Sequence, residues 1–234
     1  MYSKVDIGII GAMDPEVEIL LSSLAEREQV EIGSVTFYLG TIYSKRVVIA
    51  RCGIGKVFAA ICAQTMILNF APELIVNTGV GGGLARDIKV TDIVVATSLV
   101  QHDMDTSAIG DPKGLVSGIN KIFFDADKAA ADIVADAARR LGFTVHSGII
   151  ASGDKFIADK ADKERISSDF GAAVCEMEGA AIAHVAFVNG TRFAVIRAVS
   201  DSADDGSSMD YMQFLPIAAE RSSAITLALI EAFN

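Results

Sequence analysis

Tryptophan is missing from this 234-residue chain, and histidine, cysteine and clustered basic residues are scarce. The three cysteines and three histidines lack the spacing of metal ligands, so we expect no metal site. Aspartate and glutamate number 30 against 20 lysines and arginines, which gives a net charge of −10. No basic stretch is longer than two residues, as at Lys45-Arg46. Binding to nucleic acid, which requires clustered cations, is therefore not expected.

Long hydrophobic runs are missing as well. No segment reaches the roughly 18 uninterrupted apolar residues of a membrane span, and the N-terminus lacks the charged and apolar regions of a secretion signal. We therefore expect no membrane segment and a cytoplasmic location. Apolar residues make up 51% of the chain and charged residues 21%, a composition typical of globular proteins. We expect residues 1–234 to form a single domain.

Apolar, β-branched stretches alternate along the chain with helical segments. This alternation predicts an α/β fold with a twisted, mixed but mainly parallel central sheet flanked by helices. The expected strands cover residues 5–12, 36–41, 46–51, 74–78, 92–100, 145–151 and 193–201, and the expected helices cover 14–27, 56–70, 127–141, 176–189 and 209–233. The glycines at 79–83 predict a turn, and residues 103–124 predict a long irregular loop with a functional or interface role.

The segment from Phe193 to Asp201 carries the most information about a site. Before the polar residues at its end, the segment is apolar except for Arg197. A charge inside a buried strand is costly unless it is paired. Arg197 is therefore expected to meet a carboxylate from elsewhere in the chain. Ligands of open α/β sheets bind at the carboxyl ends of strands, which makes Asp201 the first candidate for an active-site acid.

Other carboxylates occupy comparable positions. Glu16 follows the first expected strand, and Glu176 and Glu178 flank Met177 at the start of an expected helix. One protonated and one ionised carboxyl group is the usual arrangement for cleavage of glycosidic bonds. The sequence contains no competing Ser-His-Asp or Cys-His arrangement, and Phe156 is placed in a loop where an aromatic ring can stack on a nucleobase.

Six short strings, taken together and in order, give the sequence a specific resemblance. They are IGIIGAM with Glu16-Val17, GIGKV at 53–57, NTG at 77–79, SGD with Phe156-Ile157, EME with AIAH at 176–184, and RAVSD at 197–201. The sequence thereby resembles the bacterial 5′-methylthioadenosine/S-adenosylhomocysteine nucleosidases of the nucleoside phosphorylase/hydrolase superfamily, over nearly its whole length.

The resemblance implies hydrolysis of the N-glycosidic bond of 5′-methylthioadenosine and S-adenosylhomocysteine, and also of 5′-deoxyadenosine, in methionine salvage and the recycling of S-adenosylmethionine by-products. It implies no metal and no organic cofactor. It further implies a homodimer with the 103–118 loop at its interface. Asp201 would protonate nitrogen 7 of adenine, and Glu16 would hold the attacking water. Adenine leaves readily only when it is protonated, so such an acid must keep its proton near neutral pH.

The resemblance also assigns the remaining site residues. The substrate-binding residues it implies are Gly81, Phe156, Ile157, Glu176, Met177, Glu178, Ser200, Tyr211, Phe214 and, from the partner subunit, Ile109, with Arg197 in the network of carboxylates. One departure concerns the string after Asn77-Thr78-Gly79, where the family has Ser-Ala-Gly-Gly and this chain has Val80-Gly81-Gly82-Gly83. The hydroxyl that the family places near the water is therefore missing.

Three alternatives remain open on the sequence. A purine nucleoside phosphorylase of the same superfamily would need arginines around a phosphate, where the first loop offers Asp14 and Glu16 instead. A nucleosidase could act on another nucleoside, such as a futalosine-type compound. A nucleoside-binding protein without activity is disfavoured because Glu16, Glu178 and Asp201 are all present.

Overall fold

A single mixed sheet of ten strands lies at the centre of the computed structural model, which describes residues 2–201 and 207–233. The strands are β1 Ile7–Gly11, β2 Ala25–Ile32, β3 Val35–Ile42, β4 Lys45–Arg51, β5 Leu74–Gly83, β6 Ile93–Gln101, β7 Phe123–Asp125, β8 Val145–Ser152, β9 Ala172–Glu176 and β10 Arg192–Asp201. The helices are α1 Asp14–Ser22, α2 Lys56–Phe70, α3 Lys128–Arg140, α4 Lys160–Phe170, α5 Gly179–Asn189 and α6 Ser207–Ala232. The expected α/β fold is confirmed.

Strand β5 organises the sheet. It pairs in parallel with β1 and β10, and antiparallel with β9 at its last two residues. Strands β10, β6, β8 and β9 pair with one another in turn, so that together with β5 they close a circuit of five strands. On the other side of β5, the strands β1, β4, β3 and β2 continue the sheet to its edge. The ends of several strands are thereby brought together at one end of the closed circuit.

Helices cover both faces of this sheet. Helices α2 and α5 pack on one face over a core that includes Met66 and Ile182, both fully buried. Helices α1, α3 and α6 pack on the other face over a core that includes Leu20, Val134 and Ile225. Both faces of the central strands are therefore apolar, which accounts for their nearly continuous hydrophobic sequence. None of the helices in the described residues combines the length and apolar character that crossing a membrane requires.

The glycine-rich stretch at 79–83 is not a turn, contrary to the prediction. It is the end of β5, every residue of which is buried, and none of its glycines has a positive φ. The absence of side chains serves close packing instead, since a Cβ on Gly81 would lie 2.6 Å from Cγ1 of Val174 in β9. A run of glycine permits a turn and a close approach equally well, and tertiary contacts decide between them.

Two further stretches differ from the prediction. The first helix ends at Ser22, and the predicted helix up to residue 27 is wrong because β2 begins at Ala25 and pairs with β3 at the edge of the sheet. The structure also contains α4 and β9, which the sequence analysis did not predict, so that Glu176 ends a strand and does not begin a helix. A smaller difference is β7, a short strand at the end of the stretch 103–124 that was predicted to be irregular. The other predicted strands and helices are present with small shifts of their ends.

Candidate active site

A cavity of about 400 Å³ opens where the ends of β1, β5, β9 and β10 meet. Its described lining residues are Ala12, Met13, Glu16, Ile54, Val80, Gly81, Gly82, Lys155, Phe156, Ile157, Cys175, Glu176, Met177, Glu178, Ser200, Asp201 and Tyr211. Most of them are apolar or glycine, while four are carboxylic acids. The cavity therefore has the size and the mixture of apolar wall and few polar groups that small-molecule sites show.

Glu16 lies in the first turn of α1, which begins directly after β1 and carries Pro15 at a favourable position. The carboxyl group is buried, and its two oxygens are held by backbone N–H groups. Those of Ala12 and Met13 donate to Oε2 at 2.7 and 2.9 Å, and that of Val80 donates to Oε1 at 3.1 Å. Burial raises the pKa of Glu16, although the charge of Arg197 and these N–H groups oppose the shift. Such a fixed carboxyl group is well suited to bind and polarise a water molecule.

Arg197 is a charged side chain in the interior of β10 and is only 1% exposed. Its Nη2 forms an ion pair with Oε2 of Glu176 and donates to Oδ1 of Asn77 at 2.5 Å, and its Nη1 donates to the carbonyl of Ile196 at 2.9 Å. Burial lowers the pKa of the guanidinium, but the charges of Glu176, Glu178 and Glu16 outweigh this effect and raise it. Arg197 therefore stays cationic, as the buried carboxylates require.

Glu176 joins this cation to the start of α5. Its Oε2 accepts the backbone N–H groups of Glu178 and Gly179 at 3.1 and 2.8 Å, and its Oε1 accepts a hydrogen bond from the hydroxyl of Ser152. The carboxylate thus satisfies the free N–H groups at the N-terminus of the helix. Glu176 is saturated by protein groups, which indicates that it orders the site more than it reacts.

Glu178 is the carboxyl group at the N-terminus of α5, and its Oε1 accepts the backbone N–H of Gly55 at 2.7 Å. Burial raises its pKa to about 8, and the charge of Glu176 adds to the shift, while Arg197 and the Gly55 N–H oppose it. Glu178 is thus protonated over most of the neutral range. A protonated carboxyl can donate one hydrogen bond and accept another, which suits a pair of sugar hydroxyls.

Asp201 ends β10, and its side chain is 2% exposed. The pairing of β10 with β5 shifts its register between Val199 and Asp201, a bulge of the kind that re-aims a side chain. The hydroxyl of Ser200 donates to Oδ1 of Asp201 at 3.0 Å, and Nζ of Lys163 lies 3.3 Å from Oδ2. Asp201 is therefore held on both oxygens at the wall of the cavity.

Aromatic side chains form one side of the cavity mouth. Phe156 follows β8 and is 45% exposed, and its ring meets that of Tyr211 from α6 edge to face, with centroids 5.4 Å apart. The hydroxyl of Tyr211 lies 3.2 Å from Sδ of Met13. A flat, apolar ligand can stack on such a partly exposed ring.

The structure brings most of the candidate residues to this one cavity. Those that line it are Glu16, Gly81, Phe156, Ile157, Glu176, Met177, Glu178, Ser200, Asp201 and Tyr211. Arg197 lies behind Glu176 without lining the cavity, and Phe214 is half-buried in α6 away from the described lining. Ile109 lies in the short 3₁₀ helix Ser107–Ile109, is 82% exposed, and does not line the cavity of its own chain.

Sequence reasoning missed several lining residues, among them Met13, Ile54, Lys155 and Cys175, and it also missed Lys163, which contacts Asp201. Lys163 lies on α4, where Ile166 and Phe170 are also buried, at a spacing of three to four residues. Because a lysine occupies the first position of this short buried stripe, the sequence lacks the apolar periodicity that would have predicted the helix. In the part of the chain that the structure describes, no group of three or more metal-ligating side chains comes together.

Comparisons with known proteins agree with this geometry. The model of the phosphorylase superfamily matches residues 6–231. A 5′-methylthioadenosine/S-adenosylhomocysteine nucleosidase of Haemophilus influenzae (strain PittEE) is 40% identical over 226 residues, which cover 96% of this chain and 98% of that one.

Solved structures are similar as well. The nucleosidase of that name from Neisseria meningitidis, in complex with methylthio-immucillin-A, has a TM-score of 0.93 at 35% identity, with 99% of this chain and 100% of that chain covered. Futalosine hydrolase of Helicobacter pylori strain 26695 has a TM-score of 0.92 at 34% identity, with 97% of each chain covered.

The raised pKa of Glu178 predicts how stability depends on pH. An unfolded glutamate loses its proton above its ordinary pKa of 4.5, whereas folded Glu178 keeps its proton until about pH 8. The folded protein binds more protons in this interval, so its free energy of unfolding falls as the pH rises. Glu178→Gln removes this contribution. We therefore expect the free energy of unfolding of this variant, measured by urea denaturation, to fall less steeply between about pH 6 and pH 8.5.

Glu18→Gln, which replaces an exposed glutamate of α1, is the matched control and is expected to keep the slope of the unmodified protein. Equal slopes for all three proteins would contradict the assignment of a raised pKa to Glu178.

Proposed function

Since the chain belongs to the phosphorylase superfamily and, within it, to the 5′-methylthioadenosine/S-adenosylhomocysteine nucleosidases, we propose that it hydrolyses the N-glycosidic bond of these two nucleosides. The products are adenine and the 5-thio-substituted ribose. The observation that carries this proposal is that Glu16, Glu178 and Asp201 are buried in three different environments around one apolar cavity.

Asp201 is the general acid of the proposed reaction. Its carboxyl proton passes to nitrogen 7 of adenine, and the electron pair of the C1′–N9 bond goes to the base as that bond breaks. The position of Asp201 supports this role, because its carboxyl group lines the cavity and is oriented by the hydroxyl of Ser200. The ring of Phe156 stacks on adenine, the backbone of Ile157 reads its edge, and Ser200 orients Asp201.

The sugar carries positive charge as the base leaves, and two glutamates act on it. Glu16 holds the attacking water and takes its proton as the new C1′–O bond forms. Glu178 binds the ribose hydroxyls, and Met177 packs beneath the ring. The net result is that one water is consumed, and no metal or organic cofactor takes part in these steps.

Hydrolysis is favoured over phosphorolysis by the charges around the cavity. Of its described lining residues Lys155 is the one cation, and its Nζ lies 2.5 Å from Asp162. Arg197 is enclosed by Glu176 and does not reach the cavity. A phosphate in this cavity would lie beside Glu16 and Glu176 and would be repelled where these carboxyl groups are ionised. Val80, which stands where the family has serine, also offers no hydroxyl for such an anion.

A second candidate substrate is a futalosine-type nucleoside. The similarity to the futalosine hydrolase of Helicobacter pylori, at 34% identity over 97% of both chains, favours this candidate specifically. The same acid, water and sugar contacts would serve it, because the bond cleaved is again N-glycosidic. We further propose activity on 5′-deoxyadenosine and a role in methionine salvage and in recycling S-adenosylmethionine by-products.

The protein is proposed to act as a homodimer. Helix α2 exposes an apolar stripe at helical spacing, and α5 beside it exposes two more apolar residues. The stripe consists of Val57, Phe58, Ile61 and Leu68, each 49% exposed or more, with Phe187 and Val188 from α5. Exposed apolar patches of this kind mark interaction sites. Ile54, which lines the cavity, precedes this stripe by three residues. We propose that the partner's 103–118 loop, with the partner's Ile109, reaches the cavity at this point.

Product analysis tests the reaction. We expect adenine and free 5-methylthioribose from 5′-methylthioadenosine, at the same rate with and without phosphate. Asp201→Asn is expected to keep the fold and to lower kcat by at least ~100-fold, the range that one general acid contributes. Strict dependence on phosphate, with a sugar 1-phosphate product, would establish a phosphorylase instead, and near-normal turnover by Asp201→Asn would remove Asp201 as the acid.

The position of Glu16 can be tested through the glycine that it faces. A Cβ on Gly79 would lie 2.5 Å from Oε1 of Glu16, so Gly79→Ala must displace the carboxyl group. Displacement by about 1 Å is expected to lower kcat for 5′-methylthioadenosine by ~100-fold. Gly83→Ala in the same strand is the control, because its Cβ meets nothing closer than 3.4 Å. Equal activities of the two variants would show that the position of Glu16 does not matter.

The proposed dimer can be tested by placing a charge on the stripe. Sedimentation velocity is expected to give twice the 24.6 kDa mass of the chain. Leu68→Asp, at a position 61% exposed, is expected to weaken association by at least ~30-fold, as the loss of a strong interface contact does. Leu141→Asp, which follows α3 on the opposite face of the sheet, is expected to remain dimeric. A monomer for the unmodified chain would refute the dimer.

A further inference from the structure

Lys163 is a lysine enclosed in the protein beside the proposed acid. Its side chain is 2% exposed, and its Nζ lies 3.3 Å from Oδ2 of Asp201, whose side chain is equally buried. Helix α4 delivers this lysine, with its N-terminus capped by Asp159 and with Ile166 and Phe170 anchoring it in the apolar cluster beneath the cavity. A buried ammonium group is costly, so its position next to Asp201 calls for an explanation.

Several other groups surround Asp201 in the described structure. Ser200 of β10 contacts it directly, and Cys175 of β9 and Tyr211 of α6 feel its charge. The other charged residues of the site are Glu16 of α1, Glu178 at the start of α5 and Arg197. Burial raises the pKa of the Cys175 thiol to about 12 and also raises that of Tyr211, so both are neutral. Arg197 is engaged with Glu176. Among the described cations near the cavity, it is Lys163 whose nitrogen contacts a carboxylate oxygen of Asp201.

We propose that Lys163 is a positioning residue for the acid: its ammonium group fixes Oδ2 while Ser200 holds Oδ1, and its charge stabilises the carboxylate that remains when the proton has passed to the base. This inference rests on the proposed role of Asp201 as the general acid. Lys163 itself neither gains nor loses a proton in the reaction.

Two opposing effects on Asp201 make such a cation useful. As a general rule, a buried carboxyl group with no cation beside it holds its proton tightly and is slow to give it up. A nearby cation counteracts this effect, and a general acid is most efficient when its affinity for the proton matches the working pH. Lys163 is placed to lower the proton affinity of Asp201 in this way. Its contact with Oδ2 also prevents the carboxyl plane from turning away from the base.

The experiment compares pH profiles of kcat and kcat/KM for 5′-methylthioadenosine. Lys163→Met keeps the length of the side chain and removes its charge, and Lys163→Arg keeps the charge. Without the cation, Asp201 holds its proton to higher pH, so the alkaline limb for Lys163→Met is expected to move upward by about one pH unit or more. At about pH 7 its kcat is expected to fall ~10-fold or more with a smaller change in KM. Lys163→Arg is expected to keep the alkaline limb at the pH of the unmodified protein.

Controls separate this role from a structural one. Lys160→Met removes an exposed lysine from the same helix and is expected to leave the profile unchanged. If Lys163→Met does not fold, as judged by circular dichroism, Lys163→Gln provides the same loss of charge with a hydrogen-bond donor retained and is expected to shift the limb in the same direction.

A leaving group that needs no protonation gives a second readout. With a 4-nitrophenyl 5-methylthioriboside as substrate, the loss of kcat caused by Lys163→Met is expected to be several-fold smaller than the loss with 5′-methylthioadenosine. The same difference between the two substrates is expected for Asp201→Asn. An unmoved alkaline limb together with equal losses on both substrates would overturn the inference. If Asp201→Asn were then inactive, the role of Asp201 as the general acid would stand and only the role of Lys163 would be refuted. If Asp201→Asn were active, the role of Asp201 would be refuted as well.

Discussion

The buried charge of Arg197 is the constraint on which the site depends. It places a cation inside β10 among the charges of Glu176, Glu178 and Glu16, and without it these acids could not be gathered in an apolar cavity. Glu176 bridges this cation to the N-terminus of α5, so the same ion pair fixes where Glu178 begins that helix. The chemistry of the cavity and the packing of its helix therefore rest on one interaction.

The closed circuit of strands gives this interaction its geometry. Strand β5 contacts β1, β10 and β9 within ten residues, and this is possible only because its final residues lack bulky side chains. The register shift in β10 then turns Asp201 towards the cavity, while β1 leads directly into the turn of α1 that carries Glu16. Acids that are far apart in sequence thus meet because several strand ends converge.

The sequence predicted the parts of this arrangement whose signals are local. An arginine in an apolar strand followed by an aspartate at its end indicated both the ion pair and a candidate acid, and the structure pairs Arg197 with Glu176. Strand β2 was missed because an edge strand exposes charged residues such as Glu28 and lacks the apolar pattern of the interior. Helix α4 was missed because Lys163 occupies a position that is normally apolar. Which acid contacts which cation depends on strand pairing, and no local pattern encodes it.

The four acids of the cavity have one functional group and four environments. Glu176 is saturated by a cation, a hydroxyl and backbone N–H groups, which fix its position. Glu178 has one backbone donor and little compensation for its burial, which keeps it neutral. Glu16 accepts three backbone N–H groups, two just after β1 and one from β5, and Asp201 has a hydroxyl on one oxygen and an ammonium on the other. Because the partners of the four acids differ, groups of the same chemical type can take different roles within one cavity.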